Sequence, residues 1–132
     1  MKGEEEAITR RARELIDFMD LVPFADAMAG PLPFPIRKRV ELARALASSP
    51  KLLLLDEPAA GMNDAEKRQL IDEIVKLNAD GLSILIIDHD MGVIMGVCHE
   101  IAVLNFGKVI ARGKPDEIRQ DPAVIEAYLG RD

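Results

Sequence analysis

The chain has 132 residues, 48% of them hydrophobic, and a formal net charge of -6 at pH 7. This size and composition fit one modest domain with enough apolar side chains for a core, which argues against overall disorder. The acidic balance gives no support to nucleic-acid binding, because proteins that neutralise phosphates present a basic surface.

The first third of the chain predicts two helices joined by a proline-rich connection. Apolar residues at helical spacing predict an amphipathic helix from Glu4 to Met19. Prolines at positions 23, 31, 33 and 35 prevent regular structure from Leu21 to Pro35. A second helix is predicted from about Ile36 to Ser48, closed by Ser49-Pro50.

Short apolar runs in the rest of the chain predict strands. Four consecutive leucines, Leu52 to Leu55, are typical of a strand covered on both faces. The other predicted strands are Ser83 to Ile87, Ile101 to Leu104 and, after a turn at 105–107, Val109 to Ala111. The predicted helices are 64–78, opened by an Asn63–Glu66 capping box, 91–98, and two short helices within 115–129 broken at Asp121-Pro122.

The order strand, helix, strand, helix, strand predicts an α/β fold. Right-handed crossovers would place the first three strands in a parallel sheet, with flanking helices and a final hairpin. A helical N-terminal arm and short C-terminal helices complete the expected architecture. We expect three parts, residues 1–49, 50–113 and 114–132.

Two polar clusters follow the first two predicted strands. Asp56-Glu57 comes after the leucine run, and Asp88-His89-Asp90 comes after Ser83 to Ile87. Parallel strands present their carboxyl ends at one sheet edge, so we expect the clusters to converge there. Two carboxylates and an imidazole at one edge could hold a divalent cation, take a proton from water and sense a phosphate.

A structural interpretation of these residues stays open. Acidic residues after a strand are often solvated loop positions or helix caps. Adjacent charges at Asp56 and Glu57, after an all-leucine strand, favour function because such charges are costly unless paired or bound to metal. His89 alone is weaker, since a lone histidine is more often a hydrogen-bonded structural residue. Arg37-Lys38-Arg39 could touch phosphate, but the pattern favours a solvated helix surface.

Several motifs carry a resemblance to ABC-transporter ATPases. The run 52–58, LLLLDEP, resembles their Walker B motif, and 39–46, RVELARAL, resembles the helix after their signature sequence. AGMN at 60–63 falls at their D-loop, and IIDHD at 86–90 resembles the strand that ends in the switch histidine. DEPAAGMN, HDM, GKVIARGKPDEI and DPAVIEAYLG resemble the importers of branched-chain amino acids.

The resemblance implies a P-loop NTPase-like fold and a role for each matching residue. Asp56 would bind the Mg²⁺ of Mg-ATP, usually through water, and Glu57 would polarise the attacking water. His89 would contact the γ-phosphate, and Asn63 would face a partner subunit. Residues 1–49 would be a remnant of the helical subdomain, 50–113 the core, and 114–132 the tail. The family also implies a cytoplasmic location on the inner membrane face, through permease subunits.

The sequence departs from this family at two places. The phosphate-binding loop, GxxxxGKS or GxxxxGKT, is not found in the 132 residues, nor is the glutamine loop. Pro35 stands where the signature sequence should carry its key glycine, and proline removes an N–H donor. We therefore expect no ATP hydrolysis by this polypeptide alone. An apolar face left exposed should find an oligomeric partner or a complementary N-terminal half.

Three functional hypotheses remain from the sequence. The first is the C-terminal portion of an ATP-binding subunit, working with a second ATPase subunit. The second is a degenerate, non-enzymatic interaction module of the same fold, which Pro35 favours. The third is a phosphoacceptor domain, which suits an aspartate after an apolar strand, although this chain lacks the acidic residues that such a site needs from an earlier strand.

Cys98 is the single cysteine and excludes an internal disulfide.

Overall fold

The computed structural model describes residues 1–130, and its contacts divide the chain into two compact units, Met1–Asp88 and a second that begins at His89. The first unit contains α1 (Lys2–Phe18), a 3₁₀ turn (Val22–Phe24), α2 (Phe34–Leu46), β1 (Leu52–Asp56), α3 (Asp64–Ala79) and β2 (Ser83–Ile87). The second contains α4 (Met91–Val97), β3 (Ile101–Asn105), β4 (Lys108–Gly113), α5 (Pro115–Gln120), α6 (Pro122–Val124) and a π-helical turn (Ile125–Leu129). These helices and strands confirm the predicted α/β class.

The core of the first unit lies between α1, α2 and one face of the β1–β2 sheet. Its buried members are Leu15, Met19, Leu21, Leu42, Ala43, Leu46 and Leu53. Partly buried Leu55 and Ile84 pack against this cluster from the same two strands. The alternate residues of both strands therefore face the helices, as the two-residue period of a strand requires.

The other face of this sheet is exposed. β1 and β2 pair in parallel, with Leu54 opposite Leu85 and Asp56 opposite Ile87. Leu52, Leu54, Leu85 and Ile87 are 54%, 64%, 55% and 62% exposed. The prediction that the leucine run is covered on both faces is therefore wrong, because within residues 1–130 the alternate side chains Leu52 and Leu54 remain exposed while Leu53 and Leu55 pack in the core. The expected exposed apolar surface is present here, and we call Leu52, Leu54, Leu85 and Ile87 the open sheet face.

The second unit is built on an antiparallel hairpin. β3 pairs with β4 around a turn in which Phe106 and Gly107 both have positive φ. Within the described residues, β3 pairs with β4 and the parallel sheet contains β1 and β2. The expectation of three parallel strands is thus not met among the described residues, where the final hairpin forms but β3 does not join the parallel sheet. The predicted break at Asp121 is confirmed, because its carboxylate caps the next helix.

Helix α2 begins two residues earlier than expected. It starts at Phe34, so Pro35 lies in its first turn. Proline is tolerated there because the first helical N–H groups have no intrahelical acceptor and its fixed φ suits the helix. Among the described residues, no helix combines the length and apolar character needed to cross a membrane.

Candidate functional site

The adjacent carboxylates lie at the carboxyl end of β1. Asp56 is the last residue of the strand and Glu57 is the first residue of the following turn; both are exposed. The Glu57 N–H donates to the Ile87 carbonyl at 2.6 Å, which ties the turn to the end of β2. Glu57 has a φ of 48°, a left-handed conformation that costs energy outside glycine and often marks functional sites.

Asp88 joins this turn from the end of β2. Its Oδ2 accepts a hydrogen bond from the Ala59 N–H at 3.2 Å. The turn closes on itself through the Ala60 N–H to the Glu57 carbonyl at 3.2 Å. The two strand ends therefore meet, as expected from the parallel order, and Asp88 is the residue of the second cluster that the first unit contributes.

His89 and Asp90 belong to the second unit. His89 is exposed, and Asp90 caps α4 by accepting a hydrogen bond from the Val93 N–H at 3.0 Å. The capping geometry gives Asp90 the structural role that the sequence left open. A role for His89 beside Glu57 stays a prediction.

Asn63 forms the capping box that its spacing predicted. Its Oδ1 accepts from the Glu66 N–H at 2.9 Å, and Glu66 Oε2 accepts from the Asn63 N–H at 3.1 Å. The Asn63 Nδ2 also donates to Glu66 Oε1 at 3.1 Å. Both ends of this amide thus contact Glu66, and a part in cofactor or partner binding stays a prediction.

Arg39 and Glu73 form an ion pair that the sequence did not reveal. Arg39 Nη2 lies 2.6 Å from Glu73 Oε1, with the two side chains only 13% and 10% exposed. Arg39 Nε and Nη2 both donate to the Met19 carbonyl at the end of α1. The expectation that the basic run is solvated is wrong for Arg39. The sequence feature that could have indicated this pair is Glu73, which lies on the same helix as the buried Leu70 and Ile74.

Burial raises the pKa of Glu73 above its ordinary value, and the attraction of Arg39 opposes this rise. Desolvation is the larger effect because the carboxylate is almost fully removed from water. The pair therefore links α1, α2 and α3, and burying the Glu73 carboxylate away from water offsets part of the stability that this link provides.

A cavity of about 290 Å³ lies between α2, α3 and the end of β1. Asp56, Pro35, Lys38 and Glu73 are among its lining residues. Across residues 1–130, no three or more His, Cys, Asp or Glu side chains group closely enough to hold a metal by themselves. A single exposed carboxylate such as Asp56 fits Mg²⁺ held largely by phosphate and water oxygens, as Mg²⁺ commonly is.

Comparisons with known proteins identify relatives among transporter ATP-binding proteins. Residues 108–132 match the family described as branched-chain amino acid ATP-binding cassette transporter. The chain is 41% identical over 130 residues to the high-affinity branched-chain amino acid transport ATP-binding protein LivG of Salmonella typhimurium, covering 98% of this chain and 51% of LivG. BraF of Pseudomonas aeruginosa, with the same description, is 40% identical over the same shares.

Solved structures show the same fold. An ATP-binding cassette of an ABC transporter in its ADP conformation has a TM-score of 0.83 and 29% identity, over 95% of this chain and 51% of the other. CbiO1 of Clostridium perfringens, part of an ABC transporter complex, has a TM-score of 0.80 and 29% identity over 96% and 51%. The chain spans about half the length of the curated relatives it matches.

Proposed function

We propose that this chain, which is homologous to the C-terminal half of branched-chain amino acid ABC transporter ATP-binding proteins, supplies the Walker B edge of an ATP-hydrolysing site. The observation that carries the proposal is the turn after β1. Asp56 and Glu57 stand exposed at the strand end, and hydrogen bonds to Ile87 of the neighbouring strand and to Asp88 just after it hold the backbone around them. The two carboxylates thus stand on a held backbone, at the sheet edge where α/β folds bind ligands.

Each residue has a distinct part in the proposed chemistry. Asp56 would orient water molecules around the Mg²⁺ of Mg-ATP, and Glu57 would accept a hydrogen bond from the attacking water. His89 would donate to the γ-phosphate, and Asn63 would face a partner subunit. Phosphoryl transfer asks a protein mainly for positioning and charge stabilisation, which these groups can supply without covalent catalysis. Bound Mg²⁺ would neutralise the charge that develops on the phosphate oxygens.

The phosphates of ATP need a phosphate-binding loop that these 132 residues do not contain. The 132 residues contain no GxxxxGKS or GxxxxGKT loop, whose backbone N–H groups and lysine would hold the triphosphate. We propose that a complementary half bearing this loop completes the site, whether on the same polypeptide or on another. The open sheet face supports this, since it offers four aliphatic side chains for an added layer.

The finer assignments follow the relatives. We propose that the completed ATPase pairs with a second ATPase subunit and with permease subunits, on the cytoplasmic side of the membrane. Branched-chain amino acids are the proposed transported class, from the names of LivG and BraF. Their selection would occur in subunits other than this one.

Complementation tests the proposal. The chain is mixed with a separately produced half carrying the phosphate loop, and Mg-ATP hydrolysis is measured. We expect turnover that falls at least about a hundredfold in Glu57→Gln, since the polarising carboxylate is lost. Glu4→Gln, an exposed change on α1, is the matched control and should keep full activity. A well-folded complex without turnover contradicts the proposal.

Pro35 favours a second candidate, a non-enzymatic interaction module. It lies in the first turn of α2 and removes one N–H from the helix end that binds phosphate across a dimer in the family. For this candidate, the isolated chain should not bind Mg-ATP. Saturable micromolar binding of Mg-ATP by the isolated chain in a calorimetric titration would exclude it.

A further inference from the structure

The Lys38 side chain reaches from α2 to the backbone of the turn that carries Glu57. Its Nζ donates to the Glu57 carbonyl at 2.9 Å and lies 3.4 Å from the Pro58 carbonyl. The same ammonium lies 5.3 Å from the centre of the Phe34 ring, within cation–π range. One cation therefore contacts two successive carbonyls and an aromatic ring, a denser set of partners than a solvated lysine needs.

One of the two carbonyls that Lys38 contacts belongs to a residue with strained backbone. Glu57 has a φ of 48°, and its carbonyl also accepts the Ala60 N–H at 3.2 Å. A left-handed glutamate persists only where its surroundings hold it. A hydrogen bond from a charged donor is about twice as strong as a neutral one, so Lys38 is well suited to hold this conformation.

A second contact joins α2 to the same turn. Gly61 has a φ of 75°, and a Cβ built on it would lie 2.9 Å from Cε1 of Phe34. The Phe34 ring thus lies directly against the glycine backbone, four residues beyond Glu57. Phe34 and Lys38 are one helical turn apart on α2, so they present one face to the turn.

We infer that Lys38 is a positioning residue for the reaction: it fixes the backbone of Glu57, and through it the direction of the catalytic carboxylate. The inference rests on the proposed role of Glu57. The Lys38 contact links the start of α2, the segment that resembles the signature sequence, to the residue whose carboxylate would orient water. A shift of α2 then changes the placement of Glu57 directly, and small misplacements of a catalytic group are costly.

Backbone hydrogen exchange on the full chain tests the positioning itself, independently of hydrolysis. In Lys38→Met, we expect the Ala60 amide to exchange about tenfold faster, because the turn that it closes loses its charged anchor. Lys38→Arg keeps a charged donor and should restore most of the protection. Lys51→Met is the matched control, since Lys51 is exposed and precedes β1 at the end opposite Glu57. If Lys38→Met does not fold, Lys38→Gln is measured in its place.

Hydrolysis by the complemented protein tests the catalytic consequence. Lys38→Met should lower kcat by about tenfold or more while KM for ATP stays within about twofold, because substrate contacts are intact. Unchanged exchange at Ala60, or unchanged kcat in an active complex, would overturn the inference. The two tests can also disagree: the complex with the wild-type chain hydrolyses no ATP, while Lys38→Met speeds exchange at Ala60. That result would contradict the proposed function and support the anchoring of the turn by Lys38.

Discussion

Two carboxylates in the first unit show how differently one residue type is used. Asp56 is exposed at the end of β1, where a carboxylate keeps its hydration and is available to a ligand. Glu73 is buried and held by Arg39, where it joins helices instead. A buried ion pair stabilises little when its desolvation is included, although removing one partner alone is destabilising. Glu73 thus has a structural role, and its contribution to the free energy of unfolding varies with pH.

The raised pKa of Glu73 predicts a specific pH dependence of stability. Between the ordinary glutamate pKa and the higher pKa of Glu73 in the folded state, the folded chain binds more protons than the unfolded chain. The contribution of Glu73 is therefore fully present below that window and is lost as the pH rises through it. We expect the free energy of unfolding of wild type to fall relative to Glu73→Gln across this range, measured by urea denaturation.

Glu14→Gln, which changes an exposed glutamate on α1, is the control and should give a difference from wild type without this trend. A wild type that instead gains stability over Glu73→Gln with rising pH would show that the attraction of Arg39 outweighs desolvation.

Helix α3 has a start that is defined by side-chain hydrogen bonds. Asn63 and Glu66 exchange hydrogen bonds between side chain and backbone in both directions, which satisfies N–H groups that the first turn leaves open. The same asparagine sits at the D-loop of the family resemblance. A cap and a partner contact make different demands on it, so substitutions can separate them.

Asn63→Ala should cost about 1 kcal/mol of unfolding free energy, the usual cost of losing a helix cap. Asn63→Asp keeps a capping oxygen and should stay within about 0.5 kcal/mol of wild type, measured by urea denaturation. If capping α3 is the only role of Asn63, the complemented Asn63→Asp chain should hydrolyse ATP as fast as wild type. Loss of hydrolysis at unchanged stability would assign Asn63 to the partner contact.

The extent to which sequence predicted these elements follows from the range of the interactions. The capping box, the break at Asp121 and the limits of β2 depend on neighbours a few residues away, and all were predictable. The Arg39–Glu73 pair joins positions 34 residues apart, and the Lys38 contact to Glu57 spans 19. Such pairings need the packing of α2 on its neighbours, which periodicity does not specify. The start of α2 was misplaced because proline is compatible with a first helical turn as well as with a loop.

At the scale of the whole molecule, the leucine run shows the same limit. A strand of four leucines indicates burial on both sides, and the structure covers one side with α1 and α2. The pattern thus anticipates an additional layer on the open sheet face. A P-loop-bearing half would supply apolar surface at this position, and without that half a second copy of the chain could cover the same face.

The open sheet face therefore predicts concentration-dependent self-association. Sedimentation velocity should show a mass that rises above 14.5 kDa with concentration, because aliphatic side chains exposed together favour association. Leu54→Gln with Ile87→Gln should remain near the monomer mass and should also weaken complementation. Leu104→Gln with Val109→Gln is matched in chemistry, since these residues are 54% and 61% exposed on the separate β3–β4 hairpin. Equal effects from both pairs, or a wild type that stays monomeric, would show that the open sheet face is not the surface that seeks a partner.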